Sequence, residues 1–109
     1  MGIRPVTRRC ERWRIVWCGH FCVARYGGEE FAVICRGSTL DDGRRLAGRL
    51  LRAVRELTIR HEELTICVSV SIGLAEARFG EDAVQWMYRA DQALYAAKQL
   101  GRNRVESGA

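Results

Sequence analysis

Four consecutive residues concentrate the chemistry of this chain: Gly27-Gly28-Glu29-Glu30, set between β-favouring runs at residues 21–26 and 31–35. Two glycines let a backbone pass beside a phosphate without side-chain obstruction. Two adjacent carboxylates can hold a hard divalent cation, which in turn bridges phosphate oxygens. That is nucleotide chemistry in outline, and it is equally the composition of a plain surface turn. Far along the chain, Lys98 and Arg102 lie one helical turn apart at the end of the last predicted helix. Such a cationic pair neutralises a triphosphate, and it also suits the negative end of a helix dipole.

The elements that must position these residues can be read from the patterning. The two β-favouring runs with glycines between them predict a hairpin. From Ser38 the period changes to helical: Ser38 is the expected cap and Asp41 and Asp42 the acidic first turn. Leu46, Leu50, Ala53, Val54 and Leu57 form the apolar stripe, with Arg44, Arg45, Arg52 and Arg55 on the solvent side. Residues 64–72 alternate apolar and polar, as a half-buried strand does, and end at Gly73. A second helix is predicted from Glu81-Asp82 to Leu100, with Val84, Met87, Ala90, Leu94 and Ala97 on one face and Gly101 as its stop. Asn103-Arg104-Val105 reads as a short closing strand. Hairpin strands mixed with helices indicate an α+β sheet with helices packed on one face.

Residues 1–21 are dense in arginine and tryptophan and hold no clean period, so they read as an irregular arm or a poorly formed helix. Within them, Arg12-Trp13-Arg14-Ile15-Val16-Trp17 is compatible with a strand or a short amphipathic helix. The 109 residues, 48% hydrophobic and 28% charged, correspond to one small globular domain. The net charge is +5, and Lys98 is the only lysine, so the excess is arginine and suits a polyanion or simply a solvated surface. Five cysteines at irregular spacing and no leader-like segment predict reduced thiols and a cytoplasmic location. Cys18, His20 and Cys22 lack the further pair that structural zinc requires. No apolar stretch is long enough for a membrane span.

Three blocks together resemble the GGDEF family of diguanylate cyclases. They are Ala24-Arg25-Tyr26-Gly27-Gly28-Glu29-Glu30-Phe31, Val68-Ser69-Val70-Ser71-Ile72-Gly73-Leu74-Ala75, and Ala90-Asp91-Gln92-Ala93-Leu94-Tyr95-Ala96-Ala97-Lys98 with Gly101-Arg102-Asn103. The resemblance implies a partial palm-like, ferredoxin-like α/β fold over residues 22–106, after an arm at 1–21 and before a tail at 107–109. It implies a reaction in which the 3′-hydroxyl of one GTP attacks the α-phosphate of another, giving cyclic di-GMP and diphosphate. Two copies of the domain meet to bring the GTPs together, and Mg²⁺ or Mn²⁺ is the cofactor. Carried onto this sequence, Glu29 and Glu30 are metal-holding catalytic acids. Gly27 and Gly28 pass beside the nucleotide, and Lys98 and Arg102 grip its phosphates. Ser69, Ser71 and Asp91 are read as structural.

The complete family domain begins with a strand and helix that carry one more metal aspartate and the asparagine and aspartate that read guanine. In an ungapped register, Gly2 and Ile3 fall where that acidic segment would stand, and its loss is expected to bare an edge of the sheet. The family's product-inhibition motif, Arg-x-x-Asp, falls on Cys18 and Phe21. The expectation is therefore a diguanylate cyclase fragment inactive by itself, or alternatively a degenerate module that binds nucleotide or a protein partner without turnover. A nucleic-acid surface built on Arg8, Arg9, Arg12, Arg14, Trp13 and Trp17 explains fewer residues, and no nucleic-acid partner is expected.

Overall fold

The computed structural model describes residues 2–4, 15–18, 21–25 and 30–108 of the chain. In order these form β1 (Gly2–Arg4), β2 (Ile15–Cys18), β3 (Phe21–Arg25), β4 (Glu30–Cys35), α1 (Leu40–Arg55), β5 (Thr58–His61), β6 (Leu64–Cys67), β7 (Ser71–Leu74), α2 (Ala83–Gln99) and β8 (Val105–Ser107). Six strands make one sheet in the order β2-β3-β4-β1-β7-β8, and β5 and β6 pair separately.

The hairpin predicted around the two glycines is present: β3 runs antiparallel to β4, with Arg25 opposite Phe31. On the other side of β4 the sheet turns parallel, since β1 is parallel to both β4 and β7, and β7 to β8. Consequently β4, β1, β7 and β8 all begin at the same end of the sheet, and Glu30 stands in the same row as Gly2 and Ser71. The segment read as an irregular arm thus contributes two strands. Its first three described residues sit at the centre of the sheet, so the expected bare edge is not found there.

Both helices start with a reciprocal cap. At α1 the capping residue is Thr39 rather than Ser38: its hydroxyl accepts from the Asp42 N–H at 3.2 Å while the Asp42 carboxylate accepts from the Thr39 N–H at 3.0 Å. At α2 Asp82 and Gln85 do the same at 2.8 and 3.0 Å. The first turn of α1 is acidic and its last turn basic, which matches the helix dipole at both ends.

The alternation of β7 sends the two helices to opposite faces, not to one as expected. A methyl group on Gly73 would come within 2.3 Å of the Ala90 carbonyl and the Leu94 nitrogen, so this face of the strand lies directly against the α2 backbone. Leu74 points the other way, onto Gly43 of α1, and Ile72 packs with Val70 and Ala47 under Leu50, Leu51 and Val54. The buried stripe of α1 is therefore centred on Gly43 and Ala47, while Ala53 and Leu57 are exposed.

Among the described residues, seven of the ten buried apolar ones are alanines: Ala24, Ala32, Ala47, Ala75, Ala90, Ala93 and Ala97. Small side chains bring helix and sheet backbones close, and they also bury little area per residue. At roughly 25 cal/mol per Å² the resulting hydrophobic stabilisation is modest. The closeness of α2 to β7 is what fixes the height at which Lys98 meets the sheet.

The alternating run at 64–72 is two strands. Residues 64–67 turn back on residues 58–61 through Glu62-Glu63, with Glu62 in the left-handed region at φ 55°, and only residues 71–74 join the main sheet. Both strands of this ribbon are exposed along their whole length.

Candidate functional site

Because β4 starts where α2 ends, the acid at the head of β4 meets the cation at the tail of α2. Lys98 Nζ lies 3.7 Å from Glu30 Oε1, and the two side chains are 30% and 27% exposed. The separation is that of a loose ion pair rather than a hydrogen bond. A strand carboxylate and a helix ammonium far apart in the chain thus meet at a half-exposed position.

Arg102 follows in the turn that closes α2. The Gly101 N–H donates to Lys98 O at 3.4 Å and the Arg102 N–H to Ala97 O at 2.9 Å, the paired bonds of a Schellman motif with Gly101 left-handed at φ 117°. Arg102 and Asn103 continue in the left-handed region at φ 64° and 50°. The chain then enters β8, whose Val105 pairs with Ile72. Gly27, Gly28 and Glu29 lie outside the described residues, so of the six predicted site residues Glu30 and Lys98 are seen together and Arg102 one turn beyond.

The electrostatics of this end of the sheet follow from its polarity. The C-terminal ends of helices present carbonyl oxygens and repel an anion. Lys98 and Arg102 at the end of α2, and Arg52 and Arg55 at the end of α1, reverse that sign. A phosphate group here would be held by side-chain cations, not by helix amides. Among the described residues no three histidine, cysteine, aspartate or glutamate side chains come together to hold a metal ion. Glu30 is a suitable donor for a hard cation, but one carboxylate does not make a site, so the described residues alone do not fit Mg²⁺.

Other polar contacts lie elsewhere. At the opposite end of α2, Arg89 donates two hydrogen bonds to Glu81, each 2.6 Å, and one to Glu76 O. The hydrogen bond from Arg89 is the main reason the Glu81 carboxyl is held below its ordinary range. An apolar cavity of about 240 Å³ lies between α1 and the sheet, lined in part by Val33, Cys35, Leu46, Leu50 and Leu74. It is on the α1 side, burial there pushes the Cys35 thiol up, and its lining also takes in Gly37, Ser38 and Thr39 at the start of α1. Ser71 is buried against α2, in keeping with a structural role.

Two contributors escaped sequence reasoning. Gly73 was legible as a strand terminator, yet a glycine inside an alternating run also signals close backbone approach. Arg55 is exposed, as read, and in addition donates to Asn103; no local pattern links residues so far apart.

A family model described as "Diguanylate cyclase, GGDEF domain" matches residues 18–104. The chain belongs to the GGDEF family. Diguanylate cyclase A of Treponema denticola is 42% identical to it over 83 residues, covering 75% of this chain and 22% of that protein. Diguanylate cyclase DgcP of Pseudomonas aeruginosa is 37% identical over 84 residues, covering 77% and 12%. The crystal structure of the GGDEF domain of DgcB from Caulobacter crescentus, in complex with c-di-GMP, superposes with a TM-score of 0.79 at 34% identity. It is covered to 54% by this chain, of which it matches 83%. This GGDEF chain therefore spans under a quarter of the two enzymes and about half of the solved domain. Among the described residues no helix is long and apolar enough to cross a membrane.

Proposed function

We propose that this chain is the phosphate-gripping part of a diguanylate cyclase domain, which in complete form condenses two GTP into cyclic di-GMP. The observation that carries the reading is the meeting of Lys98 with Glu30 at the head of the hairpin strand. Lys98 and Arg102 bind and orient the triphosphate, and their fixed charge offsets the charge that builds on the phosphoryl oxygens as the diphosphate leaves. Gly27 and Gly28 give the nucleotide room beside the hairpin. In the complete domain Glu29 and Glu30 would hold Mg²⁺ or Mn²⁺, which would supply further neutralisation of phosphate charge. Two copies, each with one GTP, bring the attacking 3′-hydroxyl and the α-phosphate together. The protein works in the cytoplasm, where GTP is available.

The chain by itself binds GTP without turning it over. The strand beside the hairpin carries Gly2 and Ile3 next to Glu30 and Phe31, and neither can hold a metal or read a guanine. The second reading is a degenerate GGDEF module, one that binds nucleotide or a protein partner and is not part of a working cyclase; it is favoured by the ion pair that Glu30 and Lys98 already make with each other. Incubating the purified chain with GTP and MgCl₂ and resolving the nucleotides by chromatography tests the first claim. No cyclic di-GMP is expected; its steady formation would overturn the assignment of inactivity.

A further inference from the structure

The backbone of residues 101–103 is held in an uncommon shape. Three consecutive residues have positive φ, and two of them, Arg102 and Asn103, are not glycine. Non-glycine residues persist there only when their surroundings hold them. On the α2 side the holding contact is the Arg102 N–H bond to Ala97 O. On the far side it comes from the other helix layer. Arg55, the last residue of α1, donates from Nε to Asn103 Oδ1 at 2.8 Å and from Nη2 to Asn103 O at 3.0 Å. Its planar fork thus takes the side chain and the main chain of one residue at once, which a lysine cannot do.

The two helices lie on opposite faces of the sheet, and this guanidinium is the described side chain that joins the end of α1 to the turn after α2. Arg102 stands between the two fixed points, its carbonyl also accepts from Arg104 Nε at 3.2 Å, and its own side chain is exposed. We propose that Arg55 is a positioning residue for phosphate binding: by clamping Asn103 it fixes the direction in which Arg102 leaves the turn. The inference rests on the assignment of Arg102 to the GTP phosphates. Arg55 also adds positive charge at this end of the molecule, so charge and positioning must be separated by experiment.

Calorimetric titration of the full chain with GTP and Mg²⁺ makes the separation, using Arg55→Ala, Arg55→Lys, Asn103→Ala, Arg102→Ala and the Arg55→Ala/Arg102→Ala double variant. Arg55→Ala is expected to weaken GTP by about tenfold, ~1.4 kcal/mol, and the double variant no more than Arg102→Ala alone. Arg55→Lys, which keeps the charge and loses the fork, is expected to behave like Arg55→Ala. Amide exchange supplies a reading without ligand: the Arg102 N–H should exchange faster in Arg55→Ala and Asn103→Ala, with the interior of α2 unchanged. Wild-type affinity in Arg55→Lys, additive losses in the double variant, or unchanged exchange at Arg102 would each overturn the positioning role while leaving GTP binding intact. Absence of GTP binding by the wild-type chain would instead remove the functional reading and this inference with it.

Discussion

Lys98 and Glu30 illustrate how little of a site needs to be contiguous in sequence. Their types were legible as phosphate and metal chemistry, and their separation in the chain gave no hint of contact. The meeting depends on the common starting end of β4 and β7 and on the close seat of α2. At the same scale, the Arg89–Glu81 pair secures the other end of α2, with the two side chains only 14% and 10% exposed. The hydrogen bond from Arg89 lowers the Glu81 carboxyl from its ordinary 4.5. A carboxyl lowered on folding stabilises the protein fully above its unfolded value, and the contribution is lost as pH falls through the lower, folded one. Asp42, lowered by hydrogen bonds from the Thr39 backbone and hydroxyl, acts in the same direction. Thermal melts at descending pH should therefore show wild type losing stability below about pH 4.5 more steeply than Glu81→Gln. Parallel curves would mean that the pair contributes nothing on acidification.

Among the elements, the two helices and the hairpin were legible because each carries a local signal: caps, a 3.6-residue period, glycines between β-favouring runs. The ribbon of β5 and β6 was not. Alternation says that a strand has two faces and does not name its partner, and the turn at Glu62-Glu63 lacks the glycine or asparagine that favours a left-handed residue. Two glycines, one in the helix–sheet interface and one away from it, yield a paired prediction. Gly73→Ala has no room, because its methyl would meet the α2 backbone, which cannot swing aside. It should destabilise by about 1–3 kcal/mol and drop Tm by on the order of 10 °C. Gly48→Ala, in mid-α1 with nothing within 4 Å of the new methyl, should instead stabilise by about 0.5–1 kcal/mol. Differential scanning calorimetry of the two variants checks both signs, and a tolerated Gly73→Ala would contradict the close seat of α2.

At the scale of the whole molecule, the main sheet of the described residues is two halves joined by a short central strand. The antiparallel half, β2-β3-β4, brings Glu30. The parallel half, β7-β8 with α1 and α2, brings Lys98, Arg102 and Arg55. Three residues of β1 and the Lys98–Glu30 pair bridge them. The sequence blocks identified each half, whereas the bridge was illegible because a three-residue strand within an arginine-rich stretch has no period to detect. A site made at such a seam depends on both halves, so removing a cation from one half or an acid from the other should have the same consequence for a bound nucleotide. Calorimetric titration with GTP and Mg²⁺ of the wild-type chain, Lys98→Ala and Glu29→Ala measures this directly. GTP binding by wild type that weakens at least about tenfold in each variant, with cooperative unfolding retained in all three, is the predicted result. Equal affinity in all three proteins, or no binding by a cooperatively folded wild type, would contradict it.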